Sequence, residues 1–178
     1  MSQMSRYIDL LNQWSQSKWV ESIFKWGKPT LIYGSIFLPF SYFFSHDTRM
    51  FGSISFGLLI AIMMVRPLTE VFPEVLLFRK VLSIRRALGI AMGMTALTHG
   101  LGSYYYSLAH TWGFLVDPKM PYFYGGIAVI FSTLLLITSN NSSVALLGKK
   151  WKWLHRCIYI IFYMVCVHVA FLGHRGVD

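Results

Sequence analysis

Charged residues are scarce in this chain of 178 residues, at 13% of the sequence, and only 7 residues are acidic. Soluble globular domains contain about a quarter charged residues, so this chain lacks the polar surface that such a domain needs. Cysteine is scarce too, and 2 cysteines cannot hold together a disulfide-rich scaffold. Aromatic residues are abundant at 17%, which excludes an intrinsically disordered chain. The composition therefore predicts an integral membrane protein.

Five apolar segments with almost no charge follow a polar N-terminal stretch. They cover Pro29–Ser45, Phe51–Val65, Ala87–Leu108, Pro121–Thr138 and Trp153–Leu172. A membrane-spanning helix needs about 20 apolar residues, so the first two segments must borrow interfacial residues at their ends. The sequence predicts an all-α, polytopic helix bundle of about five spans, which forms one domain over residues 29–178.

Residues 1–28 form a second predicted unit, an amphipathic segment that lies in the membrane interface. Trp19, Ile23 and Trp26 recur at helical spacing among lysines, which is typical of an interfacial helix. A frayed tail with a few anchoring tryptophans is the alternative interpretation. No apolar core follows a basic start, so the segment is not expected to be a signal peptide.

The basic residues predict an orientation, because loops rich in Lys and Arg stay in the cytoplasm. Of the 16 basic residues, all but Arg49, Lys119 and Arg175 precede the first span or lie between spans two and three or four and five. The prediction is a cytoplasmic N-terminus and a C-terminus outside. Nucleic-acid binding is excluded as the reason for the net charge of +9, because no soluble body is present to carry a basic face.

Two histidines lie deep within predicted spans, where an ionisable side chain is costly and marks a candidate functional site. His99 is 13 residues beyond Arg86 and His168 is 12 beyond Arg156, so both lie at a depth of about 20 Å at about 1.5 Å per residue. Both helices run outward, so the imidazoles are level with each other. Such a pair suits the axial ligands of a low-spin b-type haem. The alternative for each is a histidine hydrogen-bonded to a Ser or Thr of a neighbouring helix.

His155 lies at the inner edge of the last span, 13 residues before His168. On an ideal helix this spacing points the two rings about 140° apart, so they cannot bind the same haem. An interfacial histidine that meets haem propionates or lipid headgroups is the alternative. Four basic residues at this level are candidates to bind propionates or the phosphate of a flavin such as FMN. They are Arg85, Arg86, Lys152 and Arg156.

The remaining candidates carry weaker signals. Gly89, Gly93, Gly100 and Gly102 are expected to let a flat macrocycle approach the helix that carries His99. The other three histidines, His46, His110 and His174, are expected in outer loops or at the chain end. Cys157 and Cys166 fall on opposite faces of one helix, so they cannot bridge each other. No catalytic acid, base or nucleophile set is predicted.

Several short motifs occur together in an order typical of one family. They are Arg85-Arg86-Ala87-Leu88-Gly89 before His99, then Pro121-Tyr122, Ile137-Thr138-Ser139, and Trp151-Lys152-Trp153-Leu154-His155-Arg156 before His168. Over about residues 51–172 the chain resembles the ferric-reductase-like transmembrane superfamily. Within it, the chain is most similar to the MsrQ (YedZ) haem-binding subunits of bacterial periplasmic methionine sulfoxide reductase systems.

The resemblance implies that His99 and His168 bind haem, with His155 as a third candidate. It also implies electron flow across the bacterial inner membrane, from a cytosolic flavin or nicotinamide reductase to a periplasmic oxidoreductase. The chain would then be an electron-transfer subunit rather than a self-contained enzyme. A non-redox membrane carrier or assembly subunit is the rival class, in which these histidines pack or serve a proton or metal-ion path.

Overall fold

The computed structural model describes residues 3–45, 48–108 and 121–174, with side chains described for residues 3–37, 48–105 and 121–172. These residues form helices connected by short turns, without a strand, which confirms the predicted all-α membrane bundle. The helices are α1 (Gln3–Ser15), α2 (Lys18–Ser45), α3 (Thr48–Val71), α4 (Leu76–Leu108), α5 (Pro121–Ile137), α6 (Asn141–Leu147), α7 (Lys149–His155) and α8 (Ile158–His174).

Three stretches of the described chain are long and apolar enough to cross a membrane. They are α3, α4 over Leu76–Tyr105, and α7 together with α8 over Lys149–Leu172. Helices α5 and α6 are long and apolar enough to form a fourth span only when they are taken together, and the chain bends by 93° at the break between them. The described residues therefore support three or four of the five predicted spans. The segment Pro29–Ser45, predicted as the first span, is the C-terminal part of α2.

Helix α2 runs without interruption from Lys18 to Ser45, across the boundary at residue 28, and the division into two units stays a prediction. A separate helix, α1, precedes α2. The side chain of Asn12 fixes α1 to the turn between α3 and α4, where Nδ2 donates to the carbonyl of Glu74 and Oδ1 accepts from the backbone N–H of Leu76, each at 2.9 Å. Lys80 adds a 2.6 Å hydrogen bond from Nζ to the carbonyl of Ser15.

The turn between α3 and α4 is shorter than the sequence suggested. Helix α3 continues through Pro67 to Val71, and α4 already begins at Leu76. Arg79, Lys80, Arg85 and Arg86 therefore belong to the first three turns of α4 instead of a loop. A proline does not end α3 here, although it removes one backbone donor.

The last predicted span is interrupted. Helix α7 ends at His155 and α8 begins at Ile158, with a turn over Arg156 and Cys157 between them. The angle of about 140° predicted between His155 and His168 assumed one continuous helix. That assumption is wrong, and only the positions of the side chains decide what His155 can contact.

Two helix pairs build the bundle: α3 packs on α4, and α5 packs on α8. Helix α4 joins the pairs by packing on α5, and α2 covers α4. A buried cluster lies at the centre of the bundle, composed of Leu59, Ile62, Met92, Ala96, Ala128, Leu135, Ile158 and Ile161. Lipid tails are as apolar as these residues, so close packing rather than transfer out of water holds such helices together.

Gly93 and Gly100 serve the contact between α4 and α5. A Cβ atom added at Gly100 would lie 2.7 Å from a methyl of Val129, and one added at Gly93 would lie 3.2 Å from Leu136. Both glycines therefore permit close approach of the two backbones. The prediction that they make room for a macrocycle beside α4 is wrong, whereas Gly89 does face open space.

The orientation of the bundle in the membrane stays a prediction, and a reporter fusion tests it. A reporter that is active only outside the cytoplasm, fused after Asp178, is expected to be active, because most basic residues lie in segments predicted to face the cytoplasm. Activity of a cytoplasmic reporter at the same position, with an inactive external one, would contradict the predicted orientation.

Candidate functional site

The imidazole rings of His99 on α4 and His168 on α8 face each other in the bundle. Their ring centroids are 6.4 Å apart, and the ring planes are inclined by 72°. Both residues are half-buried. The two helices that carry them belong to different helix pairs, so only the tertiary structure brings the rings together. The matched depths predicted from the sequence agree with this proximity.

Each of these rings is held by a backbone carbonyl at the start of a neighbouring helix. Nδ1 of His99 lies 2.7 Å from the carbonyl oxygen of Thr48, the first residue of α3. Nδ1 of His168 lies 2.7 Å from the carbonyl oxygen of Pro121, the first residue of α5. A carbonyl oxygen can only accept, so Nδ1 donates in both cases. A neutral imidazole that donates through Nδ1 carries its lone pair on Nε2, the nitrogen left for a metal.

The spacing of the rings fits two ligands on opposite sides of one metal ion. Metal–imidazole bonds of about 2 Å on either side would place two ring centroids about 6 Å apart. Histidines that bind metals typically donate their other N–H to a carbonyl or carboxylate, which fixes the tautomer and the ring orientation. His99 and His168 meet both conditions. A haem needs only these two axial ligands from the protein.

A different arrangement, a metal site made of side chains alone, finds no support in residues 3–45, 48–108 and 121–174. No group of three or more His, Cys, Asp or Glu side chains lies together there. Cys157 and Cys166 are half-buried free thiols. Of the other histidines, His46 and His110 lie outside the described residues, as does the side chain of His174. The candidate site is therefore the pair His99 and His168.

A cavity of about 1080 Å³ opens at the other end of the bundle. Its wall includes the basic residues Arg66, Arg85, Arg86, Lys152 and Arg156, together with Glu70. Its apolar side is formed by core residues, among them Ile62, Met92, Leu135 and Ile158. Met92 precedes His99 by seven residues, which is about 10 Å along α4. Core residues such as Met92 therefore lie between the cavity and the histidine pair, and the distance between the two along α4 is short.

His155 lines this cavity and precedes His168 by 13 residues. Its ring lies against the indole of Trp151, with centroids 3.9 Å apart and planes inclined by 30°. Nε2 of His155 is 3.4 Å from Oγ1 of Thr138, a long hydrogen bond. Trp151 is itself tied to α5, because its Nε1 donates to the carbonyl of Thr138 at 2.9 Å. These contacts hold the ring of His155 at the cavity, and its role beside a cofactor stays a prediction.

The basic residues predicted beside His155 differ in the contacts that their side chains make within the protein. Arg86 is bound to the turn after α5, where Nε and a terminal nitrogen donate to the carbonyl of Ser139 at 3.0 and 2.8 Å and the other terminal nitrogen donates to Asn141 Oδ1 at 2.7 Å. Arg156 lies over the ring of Trp153 at 4.8 Å. Arg85 lines the cavity. Arg86 therefore has a structural role in addition to any contact with an anion.

The sequence analysis missed two glycines that contact the histidine rings. A Cβ atom added at Gly52 would lie 3.0 Å from Nδ1 and Cε1 of His99, and one added at Gly125 would lie 2.9 Å from Nδ1 of His168. The signal was present as a pair of similar segments, Thr48–Gly52 and Pro121–Gly125. Each has an aromatic residue in fourth place and glycine in fifth.

The sequence around this site also matches a known protein family. Residues 32–166, more than half of the chain, match the family described as ferric reductase like transmembrane component. The chain belongs to this family. The matched range contains His99, His155, Gly52 and Gly125 and ends two residues before His168. Membership makes the chain a component of membrane electron transfer and a multi-pass membrane protein.

Among curated proteins, the chain is similar to magnetosome protein MamZ of Magnetospirillum gryphiswaldense. The two are 29% identical over 124 residues, which is 67% of this chain and 18% of MamZ. The chain thus spans less than a fifth of the length of that relative. No solved structure matches the chain.

Proposed function

We propose that this chain is a b-type cytochrome that binds one haem between His99 and His168. The observation that carries the proposal is the ring pair itself, with a centroid separation of 6.4 Å and both Nδ1 atoms donating to carbonyls. Family membership supports the same assignment. Bound between these residues, a haem would supply a one-electron redox centre.

The protein's part in this function is positioning. The carbonyls of Thr48 and Pro121 hold the rings of His99 and His168 and keep their protons on Nδ1. The hydrogen bonds also raise the basicity of Nε2 in each ring, the nitrogen that would bind the iron. The buried apolar cluster of the bundle excludes water from one side of the pair. No proton transfer is needed, which is consistent with the lack of a predicted acid or base.

Electrons enter, in this proposal, through the basic cavity at the other end of the bundle. The cavity wall carries Arg85, Lys152, Arg156 and the ring of His155, which suit an anionic redox partner or the phosphate of FMN. The donor is a cytosolic flavin or nicotinamide reductase. The acceptor is a periplasmic oxidoreductase, with a methionine sulfoxide reductase as the specific candidate. The location is the bacterial inner membrane, and His155 aids electron entry without binding the deep haem.

The purified protein provides the test of this proposal. Protein expressed in haem-replete cells and purified in detergent should contain about one haem b per chain and show sharp low-spin bands on reduction, because two imidazoles complete the iron coordination. The haem content is measured as the pyridine haemochrome and the spin state by absorption spectroscopy. A monodisperse protein that is colourless and takes up no added haem would contradict the proposal and favour the rival non-redox class.

A further inference from the structure

The two helix pairs of the bundle present their histidines in the same way. In each pair, the carbonyl of the first residue of one helix accepts from the ring of a histidine on its partner: α3 binds His99 of α4, and α5 binds His168 of α8. The hydrogen bonds have the same length, 2.7 Å. This repeat connects residues that are 51 and 47 positions apart, so only the tertiary structure shows which residues meet.

A glycine stands four residues after each of these carbonyls. Residues i and i+4 lie one above the other on the same face of a helix. The carbonyl of Thr48 and the Cα of Gly52 therefore form one seat for the ring of His99, and Pro121 with Gly125 form the second seat, for His168. The distances from an added Cβ agree, since the nearest ring atoms in both seats include Nδ1 and Cε1, at 2.9–3.0 Å.

We infer that Gly52 and Gly125 are positioning residues that set the orientation of the two haem-ligating rings. This inference rests on the proposed function, because it concerns the ligands of the proposed haem. Each ring contacts both a carbonyl that binds its Nδ1 and, four residues later, a backbone position without a side chain. A methyl group at either glycine cannot be accommodated unless the ring moves, and a moved ring lengthens its 2.7 Å hydrogen bond.

The chemical consequence is a change in the ligand field. The Nδ1 hydrogen bond makes an imidazole a stronger donor, and a stronger donor favours the ferric state of the iron. A displaced ring with a weaker hydrogen bond therefore raises the midpoint potential. Outer-shell changes at metal-bound histidines typically weaken metal binding by about 10–100-fold, so we expect faster loss of haem by a similar factor.

The test compares Gly52→Ala and Gly125→Ala with two control substitutions. Gly57→Ala on α3 and Gly34→Ala on α2 change the same residue type on helices of the same bundle, but an added Cβ meets no atom within 4 Å at either position. Alanine is the better helix former at all four positions. Loss of helix propensity therefore cannot explain a defect, and only the contact with the ring distinguishes the two groups.

The measurements are the midpoint potential, by redox titration, and the rate of haem transfer to apomyoglobin. Gly52→Ala and Gly125→Ala are expected to raise the potential and to speed haem loss about 10–100-fold, whereas both controls match the wild type. Potentials and transfer rates that are equal in all five proteins would overturn the inference while leaving the proposed function intact. A wild-type protein without a low-spin haem would instead overturn the proposed function.

A measurement on the wild-type protein covers the case in which the variants do not fold. The two seats hold the ring planes 72° apart, close to perpendicular. Near-perpendicular imidazoles give ferric haem a highly anisotropic low-spin electron paramagnetic resonance signal, dominated by one large g value. We expect this signal. The rhombic signal of parallel rings would show that the seats do not set the ring planes, and would overturn the inference.

Discussion

Replacing His99 or His168 by alanine is expected to abolish the low-spin haem spectrum. In the proposed site each ring would supply one of the two axial ligands, so its loss would leave a high-spin, five-coordinate haem or no haem. The measurement is the reduced-minus-oxidised spectrum, together with the haem content per chain. Free imidazole added to His99→Ala should restore the low-spin bands, because the substitution leaves a space beside the carbonyl of Thr48.

Two other histidines serve as controls for this first prediction. His46→Ala and His110→Ala also remove an imidazole, but the sequence places both outside the predicted spans. These variants should keep the wild-type spectrum. Wild-type spectra in His99→Ala and His168→Ala would show that the ring pair is not the ligand pair. Rescue by imidazole separates the loss of a ligand from a general failure to fold.

Replacing His155 by alanine is expected to leave the low-spin spectrum intact and to slow reduction of the haem by a cytosolic flavin reductase. The ring lines the cavity and stacks on Trp151, so its removal alters the surface through which electrons are proposed to enter. The deep ligand pair does not contact it. The initial rate of haem reduction, followed by stopped-flow absorption, measures the effect, and we expect a loss of about tenfold, the size of a typical outer-shell effect.

Lys150→Ala is the matched control for His155→Ala. Lys150 lies on the same short helix, α7, but is not part of the cavity wall, so its substitution should leave the reduction rate unchanged. The haem content gives a second, independent outcome. About two haems in the wild type and one in His155→Ala would contradict the prediction, because His155 would then be an axial ligand of an inner haem.

The positions of several helices along the chain could be predicted, because a helix that crosses a membrane must be apolar over most of its length. Apolar stretches around Phe51–Val65 and Ala87–Leu108 coincide with α3 and α4, since every backbone group in lipid must be hydrogen-bonded within its own helix. Helix ends were predicted less well. Lys and Arg in the first turns of α4 suggested a loop, yet a helix tolerates them wherever it leaves the membrane.

The candidate ligands were also predictable, and for a similar reason. A histidine in an apolar helix is costly, so His99 and His168 stood out by position alone, and a constant rise per residue gave their matched depths. The similar segments around Gly52 and Gly125 are visible in the sequence, but their contacts with the two rings were not predictable. A glycine in a membrane helix is common, and its contact with a ring from another helix depends on how the helices pack.

The sequence by itself determined the class of the protein, its apolar helices and the depths of two candidate ligands, because these follow from composition and from the rise of one helix. The tertiary structure decided which groups meet. Packing of α3 on α4 and of α5 on α8 sets the 6.4 Å separation of the rings and the partners of their Nδ1 atoms. Packing also places the residues around the break after His155 in the wall of a cavity. Contacts between helices depend on the angle at which the helices cross and on the rotation of each helix about its axis, and the sequence of a single helix determines neither.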